Sequence, residues 1–193
     1  STLNTRQYAT KGYLEKLIAQ VFTGRERFEP GNPQEGYSPS PQERQSWLQI
    51  SYMKEAYHTM GPKFTLGWMA EALYSSKNFS ENYTATMMQA GEFAPTPHSK
   101  LMYNEAFRAN QYVAAGIKPI YVLNDMFQFR TEFYGFTPIF PIKKNALNKA
   151  YYGKAFSRFE YMGEVSVICH LPFGAISAYV NHYSSPRREW NVG

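Results

Sequence analysis

The sequence has little charge, a single cysteine and no long apolar run. Asp, Glu, Lys and Arg make up 18% of its 193 residues, below the roughly 25% of an ordinary soluble domain. The lone Cys169 excludes a disulfide framework and a cysteine-based metal site within these residues. No run of about 18 apolar residues is present, which excludes a membrane-spanning helix. The histidines lack metal-site spacing, so we expect no cofactor.

Aromatic residues are abundant instead. Phe, Trp and Tyr make up 17% of the chain, yet the mean hydropathy is −0.49. Two classes fit this composition: a soluble all-β domain, or a membrane β-barrel whose alternating strands hide their hydrophobicity from any sliding average. The net charge is +5, but the basic residues are spread along the chain rather than clustered. We therefore expect no nucleic-acid partner.

The clearest pattern lies at 126–136, where apolar and polar residues alternate with the period of a β-strand. One face of this strand carries Phe127, Phe129, Thr131, Phe133 and Gly135. The other face carries Met126, Gln128, Arg130, Glu132, Tyr134 and Phe136. The segment 116–123 reads as a partner strand, and Asn124 with Asp125 suits the tight turn of a hairpin between them.

Similar alternation predicts further strands along the chain. They are expected at 3–8, 13–22, 45–57, 63–74, 83–90, 112–123, 155–171 and 175–183, with a last strand beginning at Trp190. For 13–22 a helix is a competing interpretation, because Leu14, Leu17, Ile18 and Val21 also have helical spacing. Long loops are expected at 30–44, 137–153 and 184–189. The count is nine or ten strands, and most exceed the usual 5–6 residues.

Long strands joined alternately by short turns and long loops are typical of a transmembrane β-barrel. In such a barrel one face of each strand contacts lipid and the other faces a polar lumen. The lumen-facing candidates on this pattern are Arg130, Glu132, Arg158 and Glu160. The lipid-facing candidates are Phe127, Phe129, Phe133, Phe159, Tyr161, Val165 and Val167. The alternative is a soluble β-barrel or sandwich that binds a lipid or a sugar, which requires polar outer faces.

Several motifs carry a family resemblance. They are the residues at 93–99, 107–112, 133–136, 157–164 and 171–174, with Tyr8-Ala9-Thr10-Lys11-Gly12 near the start. Together they resemble the C-terminal outer-membrane β-barrel of bacterial patatin-like phospholipases, which belongs to the bacterial surface-antigen superfamily. The resemblance implies an all-β, antiparallel transmembrane β-barrel in the bacterial outer membrane. Residues 1–193 would form a single partial barrel domain, the C-terminal part of sixteen strands, with an upstream domain and the end of the final strand missing.

The resemblance also assigns one loop residue. Arg108 matches a signature arginine that faces the lumen of these barrels and pairs there with an acidic residue, although Ala109 replaces the usual glycine. Glu132 and Glu160 are the candidate partners of Arg108.

The chain lacks the Gly-x-Ser-x-Gly and Asp-Gly-Gly/Ala motifs of a patatin-type Ser-Asp enzyme, so we expect no enzyme within these residues. The expected function is that of an outer-membrane module that anchors, or helps export, an upstream patatin-like lipid-hydrolase domain. Its expected partners are membrane lipid, the remainder of the parent chain and lipopolysaccharide. Basic loop residues would contact the lipopolysaccharide: Lys143, Lys144, Lys149, Lys154, Arg187 and Arg188.

Overall fold

A computed structural model describes residues 1–5, 7–26, 44–184 and 190–193. Most of these residues form one antiparallel sheet, whose eight strands are ordered β1-β2-β3-β6-β7-β10-β11-β12. The strands of this sheet are β1 (Gly12–Arg25), β2 (Arg44–Thr59), β3 (Phe64–Ser75), β6 (Gln111–Val122), β7 (Phe127–Pro138), β10 (Glu160–Leu171), β11 (Gly174–Tyr183) and β12 (Trp190–Val192). The predicted all-β, antiparallel class is therefore confirmed.

The smaller elements lie between these strands. They are helix α1 (Tyr83–Gln89), the hairpin β4 (Gly91–Glu92) with β5 (Arg108–Ala109), the hairpin β8 (Ile142–Lys144) with β9 (Ala150–Tyr152), and the 3-10 turns Ser99–Leu101 and Glu105–Phe107. No helix in the described part of the chain is both long and apolar enough to cross a membrane.

The connections differ in length between the two sides of the sheet at which the strands end; these two sides are here called its edges. Short turns at 60–63, 123–126 and 172–173 join neighbouring strands at one edge. The segments 76–110 and 139–159 join them at the opposite edge, because consecutive antiparallel strands turn at alternate edges. We call these the short-turn edge and the long-loop edge. The predicted turn at Asn124 is confirmed: its side-chain oxygen accepts hydrogen bonds from the backbone N–H groups of Met126 and Phe127, at 2.9 and 2.8 Å.

Two predicted strands are wrong. The described residues of the segment 3–8, which are 3–5, 7 and 8, form no strand, and Asn4 Oδ1 accepts from the backbone N–H groups of Thr10 and Lys11 at 3.0 Å. The segment 83–90 is helix α1 rather than a strand, because Asn82 caps it by accepting from the N–H of Ala85 at 2.8 Å.

Other boundaries also differ from the prediction. The strand expected at 155–171 begins only at Glu160, since Phe156 takes a left-handed conformation with φ 51°. The loop expected at 137–153 contains the β8–β9 hairpin. Among the described residues the main sheet has eight strands, whereas the sequence predicted nine or ten strands in all. The predicted loops at 30–44 and 184–189 fall largely on residues 27–43 and 185–189, which lie outside the described part of the chain.

The largest hydrophobic cluster lies between one face of the sheet and the segment 76–110. Phe93 and Phe107 from that segment pack against Tyr112, Tyr134 and Phe136 of the sheet, with ring centroids 5.6–6.2 Å apart in the closest described pairs. We call this face of the sheet the covered face and the opposite one the exposed face. The fold therefore covers one side of the sheet with its own chain segments.

Candidate membrane interface and covered polar face

The exposed face of the sheet is apolar. Every predicted lipid-facing residue lies on this face or at its rim, with exposed fractions of 38% for Phe127, 45% for Phe129, 52% for Phe133, 65% for Phe159, 51% for Tyr161, 56% for Val165 and 37% for Val167. The neighbouring strands continue the surface with Leu17, Val21, Leu48, Ile50, Ile117, Ile176 and Val180, which are also exposed. Contiguous apolar surface on this scale marks a contact with another protein, a ligand or a membrane.

The exposed face carries charge at β1 and β2. Lys54 and Glu15 form an ion pair there, with 3.9 Å between Nζ and Oε2, and Tyr52 donates to the other oxygen of Glu15 at 2.7 Å. Glu15 lies near the start of β1, in the half of the strand toward the short-turn edge. A long lysine at such a position can reach the polar boundary of a membrane with its ammonium group.

The covered face of β7 carries charged side chains, whereas the exposed face of the same strand is apolar. Arg130 and Glu132, which are 2% and 5% exposed, form an ion pair with 2.8 Å between Nη2 and Oε1. The hydroxyl of Tyr134 donates to the other oxygen of Glu132 at 2.5 Å. The period-two pattern of β7 therefore places its charges on the covered face with Tyr134 and Phe136, and Phe127, Phe129 and Phe133 on the exposed face, as the sequence predicts.

A second ion pair extends this network across the sheet. Lys118 of β6 donates to Glu55 of β2 with 2.6 Å between Nζ and Oε1, and Tyr57 donates to the same carboxylate. Lys118 is 4% exposed. Such buried charges persist only where each has a partner, so these contacts explain how the covered face tolerates its ions.

The N-terminal segment, described at residues 1–5 and 7–11, covers the part of this face near the short-turn edge. Arg130 Nη1 donates to the carbonyl of Ala9 at 2.9 Å, and Gln128 Nε2 donates to the carbonyl of Tyr8 at 3.2 Å. Gly12, at φ +93°, is required for this path, since a Cβ there would lie 2.1 Å from the carbonyl oxygen of Thr2. The two side chains of β7 thus hold the segment against the sheet.

The segment 76–110 covers the face from the long-loop edge and meets the N-terminal segment over β10 and β11. His98 of this segment contacts Glu164 of β10, with 3.0 Å between Nδ1 and Oε1. Its other ring nitrogen, Nε2, lies 3.1 Å from the hydroxyl of Ser177 in β11. Tyr8 donates to the same Ser177 hydroxyl at 3.0 Å. Burial raises the pKa of the Tyr8 phenol, although its hydrogen bond to Ser177 opposes the shift.

Arg108 does not pair with Glu132 or Glu160, which corrects that prediction. Its Nη2 donates to Glu92 of the adjoining strand at 2.7 Å, and its Nη1 donates to the carbonyls of Met88 and Ala90 at 3.1 and 3.2 Å. Because Arg108 lies in β5 beside β4, the nearest carboxylate and the free carbonyls at the end of α1 take all of its described hydrogen bonds. Arg108 therefore stabilises the segment 76–110 itself.

Arg158 and Glu160 lie near the long-loop edge. They form an ion pair with 3.3 Å between Nε and Oε1, and Arg158 also donates to the carbonyl of Ala106. Glu160 accepts from the hydroxyl of Ser184 at 2.5 Å. This pair ties β10 to the segment 76–110. The basic residues Lys143, Lys144, Lys149 and Lys154 are exposed at the same edge, whereas Arg187 and Arg188 lie outside the described residues.

Sequence reasoning missed several residues of the covered face. His98, Lys118 and Ser177 were not singled out, because their partners are distant in sequence. Glu164 lies in the strand predicted at 155–171, on the same face as the predicted lumen-facing residues Arg158 and Glu160, so the alternation of this strand was a signal for it. Among the described residues, no cluster of three or more His, Cys, Asp or Glu side chains could hold a metal ion.

The exposed face of the sheet is apolar along several adjacent strands and carries one ion pair, between Lys54 and Glu15. The covered face combines the Arg130–Glu132 and Lys118–Glu55 ion pairs with the hydrophobic cluster around Phe136. Comparisons with protein-family models, with curated proteins and with solved structures found no match for this chain.

Proposed function

We propose that the chain is part of a transmembrane β-barrel of the bacterial outer membrane. One observation carries the proposal: the exposed face is apolar along several adjacent strands, whereas the covered face holds the Arg130–Glu132 and Lys118–Glu55 ion pairs. Burying an apolar side chain of this size away from water stabilises by about 1.5–3 kcal/mol. A lipid environment supplies that gain to the whole exposed face at once, while the covered face keeps its ions in a polar lumen.

Strand length supports the same proposal. A tilted strand of about 9–11 residues crosses a bilayer, and such barrels combine short turns at one side with longer loops at the other. Strands β3, β6, β7 and β10 each have 12 residues, and the connections differ at the two edges in this way. In this arrangement the long-loop edge faces outward from the cell, where its exposed lysines would meet lipopolysaccharide phosphates.

The barrel would need further strands. Among the described strands, none pairs with the second side of β1 or of β12. Unpaired strand edges are not tolerated in lipid, because their backbone N–H and C=O groups have no water to bond. We propose that additional strands close the sheet, as the sixteen-stranded barrels implied by the sequence resemblance would require.

The biological role proposed for this barrel is to anchor, or to help export, an upstream patatin-like lipid-hydrolase domain. That part of the proposal rests on the sequence motifs alone. The alternative of a soluble lipid- or sugar-binding module requires a polar outer face or a second layer over the phenylalanine stripe. Within the described residues no second sheet covers Phe127, Phe129 or Phe133.

Fractionation of cells that make the full-length protein tests the proposal. A closed barrel should be recovered in the outer membrane and should migrate differently on a gel before and after heating, because barrels resist unfolding by detergent at room temperature. Recovery in the soluble fraction with one mobility would refute the membrane barrel and favour the soluble binding module.

A further inference from the structure

Three side chains from three separate segments, Ser177, His98 and Glu164, have the hydrogen-bond geometry of a serine–histidine–carboxylate triad on the covered face. The Ser177 hydroxyl lies 3.1 Å from His98 Nε2, and His98 Nδ1 lies 3.0 Å from Glu164 Oε1. A nucleophilic serine requires this arrangement: a base at the hydroxyl, and a carboxylate that holds the second ring nitrogen. Such triads are recognised by geometry and roles rather than by sequence order, so the missing Gly-x-Ser-x-Gly motif does not exclude one.

We propose that Ser177 is a nucleophile, with His98 as its general base and Glu164 as the residue that positions His98, and that this site takes carboxylic esters. Ser177 and His98 would be the catalytic residues of a second activity, which goes beyond the anchoring role of the barrel.

The surroundings hold the histidine in one orientation. Its ring stacks on Tyr179 with centroids 3.5 Å apart and planes inclined by 13°. Glu164 lies directly opposite Glu132 in the adjacent strand, and like charges in that position repel. Arg130 pairs with Glu132, which leaves Glu164 to accept from His98 and from Asn181, the latter at 3.5 Å. The tautomer with its proton on Nδ1 follows, so Nε2 can accept the proton of Ser177 at 3.1 Å, while the Tyr8 hydroxyl lies farther from Nε2, at 3.4 Å.

The structure also suggests how an ester could reach Ser177 and which group could stabilise the negative charge that forms on the ester oxygen. Ser177 is half-buried and lies close to the short turn at 172–173, so an ester would approach from the short-turn edge. The Tyr8 hydroxyl donates to the Ser177 oxygen at 3.0 Å, and in the proposed reaction it turns to the oxyanion once that oxygen has bonded to the ester carbon. Burial raises the pKa of Tyr8, which keeps that donor protonated.

The reaction follows the ordinary course of acyl transfer. Ser177 Oγ forms a bond to the ester carbonyl carbon while its proton passes to His98 Nε2. The bond between that carbon and the alcohol oxygen then breaks, and the alcohol leaves with the proton from His98. Water repeats the sequence on the acyl-serine and releases the carboxylic acid, which restores Ser177.

A fluorophosphonate probe tests the proposal, because the serine oxygen displaces fluoride from phosphorus in the same way. Membranes from cells that make the full-length protein are treated with the probe, and mass spectrometry measures the modified fraction of the peptide that contains Ser177. Fragment ions then assign the label to Ser177, because the tryptic peptide 159–187 also contains Ser166, Ser184 and Ser185. We expect modification at Ser177, its loss in Ser177→Ala, and its retention in Ser166→Ala, where Ser166 is a buried serine of the same face.

Substitutions of His98 and Glu164 distinguish a catalytic role of these residues from a role in packing alone. His98→Gln should lower the labelling rate by about 100-fold or more in protein that still shows the folded mobility on an unheated gel. Glu164→Gln should lower the maximum rate but leave the probe concentration for half-maximal rate unchanged, as expected of a positioning residue. Absence of label at Ser177 in the folded wild-type protein, or an unchanged rate in folded His98→Gln, would overturn the proposal.

Discussion

Val165 offers the sharpest distinction between lipid and water at the exposed face. It lies near the middle of β10, opposite Thr131 of β7 and Val180 of β11, and is 56% exposed. In water, replacing so exposed a residue changes the free energy of unfolding by about 0.5 kcal/mol or less. At the midplane of a membrane, an arginine on the lipid face costs about 2–4 kcal/mol, which is roughly a 30- to 700-fold change in the folding equilibrium.

The assay is a urea titration of the full-length protein with Val165→Arg, folded in phospholipid vesicles and followed by tryptophan fluorescence. Phe173→Arg is the matched control, because Phe173 is 88% exposed but lies in a short turn at the edge of the sheet, where the same arginine should cost about 0–1 kcal/mol. We expect a clear loss of stability for Val165→Arg alone. If both variants unfold at the wild-type urea concentration, the exposed face is in water and the reasoning fails.

Three further predictions concern the covered face and its segments. Gly116→Ala should lower the free energy of unfolding by about 1–3 kcal/mol, because its Cβ would lie 2.2 Å from a tyrosine ring of the next strand. Gly163→Ala should leave the free energy of unfolding nearly unchanged in the same urea titration, because its Cβ would lie no closer than 3.5 Å to any neighbour. Glu132→Gln should lower the free energy of unfolding by about 3–5 kcal/mol, because it leaves Arg130 buried without its charge partner. A loss under about 1 kcal/mol would contradict that pairing. Arg108→Gln should speed amide exchange in the segment 76–110 without changing exchange in β10, because its hydrogen bonds are confined to that segment; equal exchange in wild type and variant would contradict this role.

Alternation was enough to predict the main sheet. The faces of β7 and of β10 follow directly from the sequence, since a period of two separates Phe129 from Arg130 whatever the tertiary structure. The turn at Asn124 was equally local, because its side chain bonds the backbone only two and three residues ahead.

Helix α1 was missed for a local reason of a different kind. Tyr83 and Thr86 favour strands by intrinsic preference, and the segment is short. The Asn82 cap and the burial of Thr86 and Met87 favour the helix instead, with Met87 packed in a cluster with Ile142 of β8. A polar capping residue just ahead of the segment was the available signal.

Contacts between distant segments could not be predicted from the sequence alone. The partner of Arg108 depends on β5 pairing with β4, a two-residue contact that has no periodicity to detect. The contact of His98 with Glu164 and Ser177 depends on how the segment 76–110 folds over the sheet. Such placements are set by packing and by the need to pair buried charges, which act only once the sheet exists.

The central claim is that the exposed face contacts lipid, and adjacent residues of β1 test it most directly. Leu17 and Ile18 are 71% and 44% exposed and point to opposite faces, so both can carry a fluorescent label in a Cys169→Ser background. Brominated lipid should quench a label at Leu17→Cys strongly and a label at Ile18→Cys weakly. Equal quenching at both positions, or none at Leu17→Cys, would contradict a membrane-spanning strand with one face in lipid.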